Sequence, residues 1–92
     1  MRIVGDIPHK RLKITIFQTS SRFPVKFEIG NFEQTYKFRI GDAINTIKDV
    51  KKIVDEPFIE AVETHFQTMM KINHQAYDRL ISDTFDEFDT IV

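Results

Sequence analysis

Residues 11–18, RLKITIFQ, alternate between apolar and polar positions. Leu12, Ile14 and Ile16 share one face, and Arg11, Lys13, Thr15 and Phe17 share the other. A period of two is the mark of a strand with one buried face. Residues 22–29 repeat it, with Phe23, Val25, Phe27 and Ile29 on one side and Arg22, Lys26 and Glu28 on the other. Pro24 has no N–H to donate, so it predicts a sheet edge or a bulge at that point. A third run covers 32–40. Phe32, Gln34, Tyr36, Phe38 and Ile40 oppose Glu33, Thr35, Lys37 and Arg39. Gly30-Asn31 between two alternating runs is a two-residue hairpin signal, because both residues tolerate positive φ. Thr19-Ser20-Ser21 reads as the preceding turn. Residues 2–7 read as a shorter leading strand stopped by Pro8.

After Gly41-Asp42 the period changes. Ile44, Ile47, Val50 and Val54 recur every three or four residues, which is helix spacing. Thr46 with Asp49 forms a possible capping box, and Asp42 is an alternative cap. Pro57 suits the first turn of a second helix, capped by Asp55 or Glu56. From there Ile59, Val62, Phe66, Met69, Asn73, Ala76 and Leu80 keep a heptad seam. A helix over 57–81 is about 37 Å long, against a radius of gyration of about 12 Å for a compact domain of this size. Any continuation through Phe85 and Phe88 overhangs the domain.

The expected fold is therefore α+β, a single domain over 1–92. An antiparallel meander of three to four strands (about 2–40) is followed by a short helix and a long C-terminal helix (about 43–88) packed on one face of the sheet. The flanks of the seam, Phe58, Met70, Ile72 and Tyr77, are apolar too. So wide a stripe suits a globular core helix more than a simple coiled coil. It also leaves apolar surface for a second copy, with Asn73 able to set register between paired helices.

Composition narrows the classes. The 92 residues include no cysteine, which rules out disulfides, thiolate zinc sites and a cysteine nucleophile. No apolar run approaches the length of a membrane span, and MRIVGDIPHKR lacks the apolar stretch of a signal peptide. A cytoplasmic protein is expected. The net charge of −1 hides a division: residues 1–40 hold eight bases and three acids, and residues 41–92 hold five bases and eleven acids. Such asymmetry marks two distinct surfaces.

Candidate chemistry is sparse. His65 and His74 stand nine positions apart and point to opposite sides of one helix, so they share no metal. The three glycines are too dispersed for a phosphate loop, and no serine sits in a nucleophile elbow. Neither an enzyme nor a cofactor is expected. The favoured reading is a small interaction or adaptor protein. It forms a homodimer through Phe66, Met69, Met70, Asn73, Tyr77 and Leu80 and binds a further protein partner. The alternative is a nucleic-acid-binding module that uses a basic sheet face of Arg11, Lys13, Lys26, Lys37 and Arg39, with Phe17 among them for base stacking. The end of the chain alternates acids with large apolar residues. Phe85, Asp86, Phe88 and Asp89 there are either a last stretch of helix or an acidic-hydrophobic docking tail.

Overall fold

In the computed structural model each alternating run becomes a strand. The elements are β1 (Arg2–Ile7), β2 (Lys13–Gln18), β3 (Arg22–Ile29), β4 (Phe32–Arg39), α1 (Ile47–Ile53) and α2 (Glu56–Ile91). The structure describes the backbone of residues 1–91 and the side chains of residues 1–83. The strands form one antiparallel sheet in the order β1-β2-β3-β4. The fold is thus an α+β meander whose helices pack on the sheet.

Turn chemistry sets the register. Ile29 pairs with Phe32 across Gly30-Asn31, and Gly30 takes φ +56° while Asn31 stays at negative φ. That sign pattern is the type II′ hairpin, whose twist matches the flanking strands. The two-residue loop makes Ile29 and Phe32 a hydrogen-bonded pair. Odd residues of β3 therefore bond to β4, and even residues face β2. This arithmetic explains Pro24. The expected edge is not there, because β3 lies inside the sheet and Pro24 is buried opposite Lys37. As an even residue its ring nitrogen turns toward β2, one step past the last β2–β3 pair, Ile16 with Val25. The ladder forgoes that one bond and resumes in the same register beyond it, where the Thr19 N–H donates to the Arg22 carbonyl at 2.9 Å. The irregularity falls instead in β1, where pairing jumps from Ile3–Phe17 to Gly5–Ile16 across Val4.

The core lies between the inner sheet face and the two helices. Ile14, Ile16, Phe23, Val25 and Phe27 enter it from the strands, with Leu12 just before β2, and Val50, Val62 and Phe66 from the helices, with Val54 at the end of α1. Helix α1 begins with the expected capping box. The Thr46 side chain accepts from the Asp49 N–H, and Asp49 accepts from the Thr46 N–H. Asp42 does not cap; it sits at φ +51° in the preceding turn. Helix α2 is capped by Asp55, whose Oδ1 accepts from the Phe58 N–H at 3.0 Å. Phe58, in its first turn, is clasped by Phe27 (5.8 Å), Tyr36 (5.1 Å) and Phe38 (6.0 Å between ring centroids). One turn on, the buried Gln34 of β4 donates from Nε2 to the Val62 carbonyl at 3.0 Å and accepts from the Tyr36 hydroxyl at 2.6 Å.

Helix α2 has 36 residues and ends at Ile91, a few positions past the expected limit near 88. The radius of gyration is 18.9 Å and the longest extent 65 Å, against about 12 Å for a compact chain of this size. The excess is the helix, which runs off the end of the sheet.

Candidate interaction surface

Helix α2 crosses the sheet and leaves it beside the start of β2 and the end of β3. Its last residues against the sheet line a groove of about 220 Å³ with Arg11, Leu12, Ile29, Phe66 and Met70 among its walls. At this exit the chain is tied down. His9 Nδ1 accepts from the backbone N–H groups of Arg11 and Leu12, both at 3.1 Å. That leaves Nε2 to carry the ring proton, and Nε2 stands 3.5 Å from Glu63 Oε1. Arg11 donates from Nε and Nη2 to Glu63 Oε2, each at 2.8 Å. The turn between β1 and β2 is thus latched to α2 by a carboxylate 52 residues away in sequence.

Beyond the exit every described residue is exposed, from Met70 to Asp83. Large apolar side chains recur along this stretch: Ile72 is 60% exposed, Tyr77 59%, Leu80 62% and Ile81 52%. Ile72 points about 120° away from Phe66, but Tyr77, Leu80 and Ile81 keep to one side. At about 100° per residue, Asn73, Tyr77 and Leu80 point within about 40° of Phe66, which is buried against the sheet. The stripe that covers the core therefore continues in line after the sheet has ended.

The six positions expected to self-associate divide at this boundary. Phe66 is 2% exposed, and Met69 is partly buried against the core, so the chain's own sheet occupies both. Met70 sits at the boundary, and Asn73, Tyr77 and Leu80 lie on the overhang. His74 and Asp78 form an exposed pair one turn apart, at 3.4 Å. The side chains of Phe85, Asp86, Phe88 and Asp89 lie outside the described residues, while the backbone there is the last part of α2.

The basic sheet face is less continuous than its sequence. Lys13, Lys26, Lys37 and Arg39 do project from one side, as their cross-strand partners Glu28, Thr35, Pro24 and Arg22 show. Arg11 does not join them. It precedes β2, and its guanidinium turns to Glu63 on the helix side. Lys26 is held by Glu28 at 3.6 Å and Glu33 at 3.9 Å, with its ammonium 5.5 Å from the Phe17 ring. Among the described residues no three metal-ligating side chains cluster, and no helix is long and apolar enough to cross a membrane. No known family model matches the chain, and neither the curated proteins nor the solved structures yield a match to it.

Proposed function

We propose that this chain is a small non-enzymatic interaction protein that self-associates through the overhang of α2 and binds another macromolecule as a dimer. One observation carries the reading: the apolar stripe that covers the core runs on, exposed, past the end of the sheet. An isolated helix in water draws little stability from propensity alone, and most helices are held by packing of their apolar face. Each large side chain on the overhang gains about 1.5–3 kcal/mol when fully buried from full exposure. A second copy offers the same stripe and supplies that burial. The non-enzymatic part rests on the sequence, which carries no nucleophile elbow, phosphate loop or metal-ligand spacing. A cytoplasmic site suits a chain with no cysteine.

Nucleic-acid binding by the outer sheet face is the weaker reading. Of its five bases, Arg11 is engaged by Glu63 and Lys26 by Glu28 and Glu33.

The test is the mass in solution by size exclusion with light scattering at low and high salt. A mass near twice 10.9 kDa is expected at both, because apolar burial is insensitive to screening. Tyr77→Asp with Leu80→Asp should return the mass to a monomer. A wild-type monomer at micromolar to millimolar concentration would overturn the proposal.

A further inference from the structure

The direction in which two copies pair follows from where each sheet sits. This step rests on self-association through the overhang. Val62 and Phe66 of α2 face the sheet, and the exposed Asn73, Tyr77 and Leu80 share their direction. A partner helix laid on that stripe therefore enters the same layer that the sheet occupies in its own chain. The partner's sheet, in turn, lies on the side of its helix that faces the first copy.

Suppose the helices ran parallel and in register. Both sheets would then have to stand between the two helices at the same level. Stacked sheets need about 10 Å between them, in addition to the packing of each helix on its own sheet. Helices in contact lie 8–10 Å apart. One pair of continuous helices cannot satisfy both spacings along its length. Run antiparallel, the conflict disappears. One layer holds the first sheet followed end to end by the partner's helix, and the other holds the first helix followed by the partner's sheet.

Charge makes the same choice independently. Positions 83–91 contain Asp83, Asp86, Glu87 and Asp89 and no base. A parallel pair sets these four acids beside four more, and like charges juxtaposed at an interface are costly. An antiparallel pair separates the two acidic ends and carries each toward the partner's Lys71 and His74, and toward the end of its sheet where Lys10 is exposed. That sheet end also bears the groove formed by Leu12, Ile29, Phe66 and Met70.

We infer that α2 pairs with a second copy antiparallel, about a two-fold axis near Leu80 and Ile81, so that the acidic end of each helix abuts the end of the partner's sheet and lies away from the other acidic end. The axis follows from length. The overhang from Lys71 to Ile91 is about 31 Å, and two such overhangs overlap fully when centred there.

The absence of cysteine makes spin labelling clean. Lys71→Cys and Ser82→Cys, both exposed and away from the stripe, are labelled singly in the full chain. Distances between the copies are then read by pulsed electron–electron resonance, after light scattering fixes the mass. The antiparallel pair offsets the Lys71 labels by about 28 Å along the axis and the Ser82 labels by about 4 Å. The distance at position 71 must therefore be clearly the longer. A dimer in which it is not longer overturns the antiparallel arrangement and leaves self-association standing. A monomeric mass removes both.

Discussion

Phe66 and Leu80 stand four helical turns apart on the same side of α2 and should respond oppositely to the same truncation. Phe66 is 2% exposed and Leu80 62%. Phe66→Ala empties a site enclosed by the sheet, and such changes cost about 3–5 kcal/mol. A chain of this length holds about 5–14 kcal/mol in all, so the loss is a large share of the total. With a urea slope of about 1 kcal/mol/M for a small protein, the unfolding midpoint falls by about 3 M or more. Leu80→Ala changes neither helix propensity nor the core of the single chain. Exposed substitutions of this kind stay within about 0.5 kcal/mol. The assay is urea unfolding followed by circular dichroism, repeated from nanomolar to high micromolar protein. At the lowest concentration only Phe66→Ala should shift. As concentration rises the wild type gains stability by mass action, and Leu80→Ala should lose that gain. The reasoning fails if Leu80→Ala costs more than about 1 kcal/mol in the dilute monomer. It also fails if Phe66→Ala costs no more than Leu80→Ala there, since the sheet would then not be what covers the first half of the helix.

Two further outcomes follow from polar contacts. Gln34→Leu severs the bond to the Val62 carbonyl and strips the Tyr36 hydroxyl of its acceptor; a loss of about 1–3 kcal/mol is expected. Adding Tyr36→Phe should recover part of it in a double-mutant cycle, and strict additivity would show that the two bonds are not one network. Asp49 is held below the ordinary carboxylate range by the backbone N–H groups of Asn45 and Thr46 that donate to it, with the Thr46 side chain and Lys52 adding to the effect. A depressed folded value means that the stabilisation is present above the unfolded value of about 4 and fades as pH falls through the folded one. Urea midpoints of wild type and Asp49→Asn should therefore differ near neutrality and converge in acid, and a constant difference would refute the assignment.

The sheet was legible because its signals are local. Alternation at 13–18, 22–29 and 32–39 names the buried face residue by residue. Gly30-Asn31 sets one register, and a one-residue slip would turn Phe23, Val25 and Phe27 outward. The capping box at Thr46 and Asp49 was legible for the same reason, as its partners are three residues apart. Pro24 was misread because an interior strand can forgo one ladder bond when pairing on both sides of it holds the register, and only the assembled sheet shows that. The latch at Glu63 left no signal at all. It joins His9 and Arg11 to a carboxylate more than fifty positions away, and strand alternation alone assigns Arg11 to the outer face.

Periodicity along the chain thus determined which elements form and which side of each is apolar. Both depend on backbone geometry within a few residues. It could not determine where the sheet stops beneath α2. The seam from Ile59 to Leu80 keeps one spacing throughout, yet Phe66 is core and Leu80 is surface. That division comes from the end of the sheet, at Lys13 of β2 and Ile29 of β3, beyond which the same helix face meets no sheet. Burial is a property of what lies opposite a residue, and only the assembled layers decide it.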